Sequence, residues 1–399
     1  MSGMNFLEKL LDGVAVEWKP LGKLAENLDF MRKAITSGLR DSGEVPYYGA
    51  SGIVDYVKDY IFDGDFLLVS EDGANLVARN TPIAFSISGK TWVNNHAHIL
   101  KFNTYVERRY IEYYLNSIDL TPYISGAAQP KLNQNNLNSI KIPNPSLAIQ
   151  AEIVRILDTF TVLTAELTAE LTDRRKQYNY YRDRLLTFEE GEVEWKAFGD
   201  LTLPTRNIRW KETDRPYRYI DLTSVSRENN LIIETSEITA LNAPSRAQKL
   251  VEKDDVIFAT TRPTQLRLCL INEEYSGEVA STGYCVLRAN ADEILPKWIY
   301  HHLSSLKFFN YVEENQSGSA YPAISDSKIK EFKLPIPYPS DPVKSLAEQA
   351  RIVAILDKFD TLTHSISEGL PREITLRQKQ YEYYRDLLLT FPKSEEVEA

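Results

Sequence analysis

A glycine–lysine–threonine triplet stands where a phosphate-binding loop would place it. In AFSISGKTW, from Ala84, four residues separate the first position from GKT, which is the spacing of such a loop. A working loop needs glycine at the first position, where Ala84 stands, and a helix directed at the phosphate after the triplet. TWVNNHAHIL follows instead and has strand character. We therefore expect a strand here and no nucleotide site.

Two other patterns suggest nuclease or metal chemistry. EWK occurs at Glu17 and at Glu194, and matches half of a nuclease pattern that also needs proline followed by aspartate, a pair that the chain lacks. His96 and His98 would point to opposite faces of a strand, so they would not bind one metal ion together. NPSL at Asn144 lacks the aromatic residue of an adenine-methyltransferase motif. We expect no catalytic residues and no metal site, and a hydrogen-bonding or core role for both histidines.

The composition limits the class of protein. The chain has 399 residues, 43% of them hydrophobic, and a formal net charge of −10. This charge argues against non-specific coating of nucleic acid, although a DNA-binding protein with local basic loops stays possible. No apolar run approaches the roughly 18 residues of a membrane span, and the N-terminus lacks a signal-peptide pattern. Cys269 and Cys285 lack the spacing of metal ligands and are expected to be buried thiols of a reducing cytoplasm.

Long segments of the sequence occur twice. QAEIVRILDTFTVLT from Gln150 matches QARIVAILDKFDTLT from Gln349, 199 residues later, and KQYNYYRDRLLTF from Lys176 matches KQYEYYRDLLLTF from Lys379, 203 residues later. Shorter pairs lie outside these segments, namely SGAAQP with SGSAYP, KIPNP with KLPIP, and VEWKPLG with VEWKAFG. The N-terminal LEKLLDGVAVEW also resembles RDRLLTFEEGEVEW at the end of the first copy. The chain therefore consists of two repeats in a cyclic order, each with a variable and a shared stretch.

The shared stretches have the pattern of long helices. Apolar residues alternate at spacings of three and four and form a seam in each copy: Ile149, Ile153, Ile156, Phe160, Leu163, Leu167, Leu171, Tyr178, Tyr181 and Leu185 in the first, and Ile352, Ile355, Phe359, Leu362, Ile366, Leu370, Ile374, Tyr381, Tyr384 and Leu388 in the second. Such seams are typical of coiled coils. Each helix would be about 60 Å long. We expect the two to pack antiparallel, with a break near Gly369 and Pro371.

The variable stretches predict mixed domains. LDFMRKAI from Leu28 and KWIYHHLSSLKFF from Lys297 suit helices, and FLLVS, DVIFAT and GYCVLRA suit strands. The predicted fold class is α+β, with two α/β domains separated by two long antiparallel coiled-coil helices in a pseudo-two-fold cyclic repeat. The predicted boundaries are a first domain at 1–147, a helix at 148–189, a second domain at 190–345, a helix at 346–391 and a tail at 392–399.

Two recognition domains on a rigid spacer suit a partner with two sites at a fixed distance, such as DNA half-sites. The layout and the paired motifs resemble the specificity subunit of type I restriction–modification enzymes over essentially the whole chain. The tandem TAELTAEL at Thr164–Leu171 resembles the length element of the group called IC. In that group this element sets the gap between half-sites, which places the spacer residues at Thr164, Leu167, Thr168 and Leu171. Four helical residues add about 6 Å, one to two base pairs at roughly 3.4 Å each.

The resemblance implies a non-catalytic subunit in the bacterial cytoplasm, held at the nucleoid by double-stranded DNA. Its two target recognition domains would each read one half of a split sequence. Its helices would bind two methyltransferase subunits, which methylate adenine at N6 with S-adenosylmethionine. Restriction subunits that use ATP and magnesium would complete the complex. No cofactor is implied for this chain itself.

For DNA reading we expect polar loops with amides, hydroxyls and arginines, because these groups match the edges of bases. The candidates in the first domain are Tyr47, Tyr48, Ser51, Asn94, Asn95, His96, Ser125, Gln129 and Lys131. The candidates in the second domain are Thr261, Arg262, Gln265, Arg267, Ser281, Thr282, Ser317, Ser319 and Tyr321. The paired SGxAxP loops are the strongest, since both precede the final strand of their domain. For each residue, a role only within its own turn stays open.

Repeated tyrosines and arginines are candidates for partner contact, because one partner in two copies needs the same surface twice. Tyr180, Arg182, Tyr383 and Arg385 lie off the predicted seams and are the preferred residues. A place in the coiled-coil core stays the alternative for each. Two other functions also stay open: a coiled-coil adaptor that does not touch DNA, and a fused methyltransferase–nuclease, which the missing cofactor motifs disfavour.

Overall fold

The computed structural model describes residues 6–126, 129–189, 191–365 and 367–392. The chain divides into two compact units, Met1–Thr164 with Leu376–Ala399, and Ala165–Thr375. Each unit therefore combines one variable stretch with parts of both shared stretches. Ile366 of the predicted seam, and the predicted tail beyond its first residue, lie outside the described residues.

The first unit is built on a mixed sheet with the strand order β2-β7-β5-β6-β3-β4, in which β3 and β6 are parallel and the other neighbours antiparallel. A separate ribbon pairs β1 with β8 and sets Trp18 opposite Pro143. The strands are β1 (Glu17–Pro20), β2 (Glu26–Asn27), β3 (Ser42–Gly49), β4 (Gly52–Val57), β5 (Phe62–Ser70), β6 (Ala84–Val93), β7 (Ala97–Lys101) and β8 (Lys141–Asn144). The GKT triplet lies within β6, as the prediction of a strand requires.

Helices cover one face of this sheet. They are α1 (Phe6–Leu11), α2 (Asn75–Ala78), α3 (Tyr105–Ser117), α4 (Gln134–Ser139) and the long α5 (Leu147–Leu185). A capping box of Thr104 and Glu107 starts α3. Alternate residues of β5 serve opposite faces, because Leu67 joins the core under α3 whereas Leu68 joins a second core on the other face.

The prediction of a helix from Leu28 is wrong. The chain forms only a 3-10 turn at Asp29–Met31, after which Arg32 is extended. The side chains of Asp29 and Arg32 both turn into the domain, where they bind charged partners. These long-range contacts outweigh the helical propensity of the segment.

The second unit contains two small sheets and a ribbon. The strand orders are β10-β17-β14-β15 and β12-β11-β16-β13, and β9 pairs with β18 so that Trp195 lies opposite Pro335. The strands are β9 (Val193–Ala197), β10 (Thr202–Leu203), β11 (Tyr217–Ile220), β12 (Ser236–Ile238), β13 (Ala247–Leu250), β14 (Val256–Ala259), β15 (Leu268–Leu270), β16 (Val279–Ser281), β17 (Tyr284–Ala289) and β18 (Lys333–Pro337). The ribbon repeats β1–β8 of the first unit with the duplicated VEW and KxPxP motifs. Cys269 and Cys285 are buried, as predicted, and burial raises the pKa of each thiol to about 12.

The helices that follow in the chain are α6 (Phe198–Leu201), α7 (Pro296–Leu303), α8 (Leu306–Asn315), α9 (Asp326–Glu331), α10 (Pro342–His364) and α11 (Gly369–Leu389). The predicted interruption of the second long helix lies between α10 and α11. Gly369 has φ +70°, and a Cβ there would lie 2.6 Å from the Thr361 carbonyl oxygen. Only glycine fits this position, whereas Pro371 fits within the first turn of α11.

Residues of the predicted seams contact each other within each unit. In the first unit the Phe160 ring stacks on Tyr384, with centroids 5.3 Å apart. In the second unit Tyr181 stacks on Phe359 at 5.8 Å. Among the described residues, no helix is both long and apolar enough to cross a membrane.

Candidate nucleic-acid interface

The duplicated SGxAxP motif forms the same hairpin in both variable stretches. We call Ser125–Lys131 the first hairpin, with residues 127–128 outside the described range, and Ser317–Ala323 the second hairpin. The end residues of each hairpin exchange two backbone hydrogen bonds of 2.8 Å. The two ends of each hairpin are thus held together.

A glycine at the same position makes each turn possible. Gly126 has φ +84° and Gly318 has φ +95°, a conformation that side chains disfavour. A Cβ at Gly126 would lie 2.5 Å from the Gln129 carbonyl oxygen, and one at Gly318 would lie 3.0 Å from that of Tyr321. The turn therefore accounts for the repeated SG pair.

Each hairpin is bonded to the residues that follow an interior strand of its sheet. In the first unit the bonded residues follow β5. The Leu132 amide donates to the Glu71 carbonyl oxygen at 2.8 Å, and the Gly73 amide donates to the Pro130 carbonyl oxygen at 3.2 Å. In the second unit the bonded residues follow β14. The Ile324 amide donates to the Thr260 carbonyl oxygen at 2.9 Å. The Arg262 amide donates to that of Pro322 at 2.7 Å. Two stretches with little sequence similarity thus build the same clamp.

The clamp brings several predicted residues of the first domain together. The Glu71 amide donates to the His96 carbonyl oxygen at 2.9 Å, which brings the loop after β6 to the end of β5. His96 Nδ1 lies 2.8 Å from Asp72 Oδ2, and the His96 side chain is 52% exposed. Asn95, Ser125, Gln129 and Lys131 are also exposed. These predicted residues form one polar edge.

Other predicted residues of the first domain do not face solvent. Tyr47 is buried, its hydroxyl accepts a hydrogen bond from the Ile35 amide, and Arg40 lies over its ring at 4.5 Å. Asn94 is buried, and its side-chain oxygen accepts a hydrogen bond from the His96 amide. Tyr48 is half-buried against Phe85. Tyr47 and Asn94 therefore use their polar groups inside the domain, whereas Ser51 is exposed.

In the second domain the predicted arginine and tyrosine meet. The Arg262 guanidinium lies over the Tyr321 ring, 5.6 Å from its centroid, and Tyr321 is 72% exposed. Gln265, Ser317 and Ser319 are exposed, and Thr261, Arg267 and Thr282 are half-buried. Ser281 is buried, and its hydroxyl accepts a hydrogen bond from the Gly283 amide, so its polar group is used inside the domain.

No pattern in the sequence indicates the buried charge network beneath the first hairpin, which consists of Asp29, Arg32, Glu71, His98 and Lys131. Arg32 Nη1 lies 2.6 Å from Glu71 Oε2, and Lys131 Nζ lies 3.0 Å from Glu71 Oε1. Burial raises the pKa of the Glu71 carboxyl, but Arg32, His98 and Lys131 outweigh burial and hold the pKa below its ordinary value. Lys131 thereby joins the hairpin to the interior of the domain.

His98 connects the network to the exit of the hairpin. Its Nδ1 lies 2.6 Å from Asp29 Oδ2, and its Nε2 donates to the Leu132 carbonyl oxygen at 2.6 Å. Burial raises the pKa of Asp29, but the hydrogen bond and charge of His98 outweigh burial and hold it below its ordinary value. Asp29, Glu71 and His98 are close enough to hold a metal ion. Both ring nitrogens and both carboxylates already have protein partners, so we assign an internal ion-pair network.

The duplicated tyrosines of α5 and α11 have matching environments. Tyr180 is 59% exposed and Tyr383 is 64% exposed, and each contacts the next tyrosine edge to face. Arg182 is buried over the Tyr178 ring, so its predicted outward position is wrong. Arg385, which is half-buried, lies over Tyr381 in the same way. The i, i+4 stacking on a tyrosine holds each arginine against its own helix.

The spacer residues all lie within α5. Thr164, Leu167 and Leu171 are half-buried, and Thr168 is exposed. The boundary between the two compact units follows Thr164 directly.

Comparison with known proteins gives matches over the whole chain. The family described as "Type I restriction modification DNA specificity domain" matches residues 15–174 and 194–376. A Haemophilus influenzae chain named as a type I restriction enzyme specificity subunit is 35% identical, over 97% of this chain and 98% of its own. The specificity subunit of the Escherichia coli enzyme EcoR124I/EcoR124II is 35% identical, over 100% of both chains. The crystal structure of the S subunit of a type I system from M. genitalium has the same fold, with TM-score 0.58, 14% identity, and 96% and 98% of the chains covered.

Proposed function

We propose that each variable domain reads one half of a bipartite DNA sequence, because the chain belongs to the type I restriction modification DNA specificity family. The chain is a specificity subunit, the component that recognises DNA, and is not itself catalytic. This excludes the fused enzyme and disfavours the adaptor.

The observation that carries the proposal is the duplicated hairpin clamp. Both clamps have the same backbone hydrogen bonds, yet their tips carry different side chains, with Gln129 in the first hairpin where Tyr321 stands in the second. A constant backbone that presents variable polar groups suits the reading of two different half-sites. The base-reading residues that we propose are the exposed and half-buried candidates of each domain, which leaves out the buried Tyr47, Asn94 and Ser281.

We propose that α5, α10 and α11 form the antiparallel coiled-coil spacer of a pseudo-two-fold scaffold, bordered by target recognition domains at 1–147 and 190–345. Tyr180 and Tyr383 would each contact one of two adenine-N6 methyltransferase subunits, whose cofactor is S-adenosylmethionine. Restriction subunits, which use ATP and magnesium, would complete the complex. The matched exposure of the two tyrosines supports a partner that binds twice.

The TAEL element is proposed to set the gap between half-sites, as in the IC group. The test is to co-express the chain with its methyltransferase subunit and to map N6-methyladenine across the host genome by single-molecule sequencing. We expect a split motif with a fixed gap. Deletion of Thr168–Leu171 removes about 6 Å of helix and should shorten the gap by one to two base pairs, with both half-sites unchanged.

The two measurements separate the parts of the proposal. Scattered or absent methylation in a complex that forms would contradict DNA reading and favour the adaptor. A split motif whose gap survives the deletion would leave the reading of half-sites intact and contradict the spacer role alone.

A further inference from the structure

The two most exposed aromatic side chains among the described residues lie one in each variable stretch. Phe30 is 82% exposed and Tyr321 is 72% exposed. A single exposed apolar residue is ordinary on a protein surface and needs no function. The positions of these two residues relative to the hairpins are therefore the informative observation.

Tyr321 belongs to the second hairpin, and the first hairpin has no aromatic residue at that position. Gln129 occupies it in SGAAQP, and the Gln129 side chain is exposed. The second domain thus offers an exposed ring from the hairpin itself. The first hairpin itself offers no aromatic ring.

The turn that carries Phe30 is fixed to the exit of the first hairpin. On one side of Phe30, Asp29 contacts His98, which donates to the Leu132 carbonyl oxygen, with both distances 2.6 Å. On the other side, Arg32 donates to Glu71 Oε2 at 2.6 Å and to the Ala97 carbonyl oxygen at 2.7 Å. Because the side chains of Asp29 and Arg32 point inward, the turn that carries the exposed Phe30 ring is fixed to the interior of the domain.

We propose that Phe30 is a DNA-contacting residue of the first domain, which packs against a base of the first half-site as the counterpart of Tyr321. The buried charge network holds its turn in register with the first hairpin. Apolar side chains contact the thymine methyl group or wedge against base steps, so a ring suits this place. The inference rests on the proposed function.

The surroundings favour DNA over a protein partner. Glu71 binds both Arg32 of the Phe30 turn and Lys131 of the hairpin, and the Lys131 side chain is 51% exposed. The positive charge of Lys131 suits a phosphate, and the amide of the exposed Gln129 suits a base edge. The core of a protein–protein interface is in contrast depleted of lysine.

The experiment uses the complex with its methyltransferase subunit and duplexes that carry the mapped motif. Binding is measured by fluorescence anisotropy for the cognate duplex and for duplexes with the first or the second half-site scrambled. Phe30→Ala should lower the discrimination between the cognate and the first-half-scrambled duplex about ten-fold. Discrimination at the second half should not change. Phe30→Leu, which keeps an apolar contact, should retain most of the effect of phenylalanine.

Tyr321→Ala is the matched variant, and it should lower discrimination at the second half alone. Both side chains are largely exposed, so neither truncation should alter folding, which hydrogen exchange of the free chain checks. Unchanged discrimination in Phe30→Ala, an equal loss at both halves, or weaker binding of the methyltransferase subunit would each overturn the inference. A wild-type complex without a split motif would instead overturn the proposed function.

Discussion

The two variable domains support the same hairpin by different means. In the first domain the buried charge network connects the hairpin to β7 and to the Asp29–Arg32 turn. In the second domain the Thr260 hydroxyl donates to the Gly283 carbonyl oxygen, and Lys249 pairs with Asp326 just beyond the hairpin. The comparison shows that the backbone clamp is the common requirement, whereas its support can vary with the sequence.

Loss of one charge from the network should have the largest effect on this comparison. Glu71→Gln leaves Arg32 and Lys131 without their shared carboxylate, which should cost about 3 kcal/mol of local stability. Thr260→Val, a nearly isosteric change in the second domain, should cost only about 1 kcal/mol. Hydrogen exchange at the amides of each hairpin measures both. Equal losses in the two variants would show that the network supports the first hairpin no better than one hydroxyl supports the second.

The second largest effect should be a difference between the two units in their loss of stability in mild acid. His302 in the second unit is fully buried, and burial, followed by the charges of His301 and Lys307, lowers its pKa to about 3. Since its folded pKa lies below the ordinary value, the stability it contributes is present above pH 6.5 and is lost as pH falls. The loss between neutral pH and pH 5 should be about 2 kcal/mol.

The Asp29 and Glu71 carboxylates of the first unit should not lose their contribution to stability in this range. The pKa values of Asp29 and Glu71 are lowered, so their contribution persists at pH 5 and is lost only below the ordinary carboxyl range, about pH 4. Urea midpoints of each unit, read by pulsed hydrogen exchange, test this difference. His302→Leu should remove the pH dependence of the second unit. If it persists in that variant, another group is responsible.

Substitution of the two turn glycines should give the smallest effect, and the two variants should differ in its size. Gly126→Ala and Gly318→Ala both force alanine into a left-handed conformation, at a cost of about 1–2 kcal/mol each. Gly126→Ala should be the more harmful, because its Cβ meets a carbonyl oxygen at 2.5 Å and that of Gly318 at 3.0 Å. Methylation at sites with one altered half-site reports the loss of reading by each domain. A greater effect in the second domain would contradict this ranking.

The candidate loops are visible in the sequence, but the exposure of each residue is not. The SGxAxP pair was visible because a positive φ requires glycine at the same position in both copies. Tyr47, Asn94 and Ser281 have suitable side chains for reading bases, yet each uses its polar group inside the domain. The sequence assigns Phe30 to a helix, since local propensity does not reveal that Asp29 and Arg32, before and after it, bind buried charged groups.

The sequence by itself determined the repeat, the long helices with the break before Gly369, the mixed helix and sheet composition and the family. These features depend on local pattern and on duplicated motifs, which can be read along one chain. Only the tertiary structure decided that Asp29, Glu71, His98 and Lys131 meet under one hairpin, and that Phe30 remains outside. Those four residues are separated by up to 102 positions, and their contacts depend on the order of strands in the sheet, which no local pattern encodes.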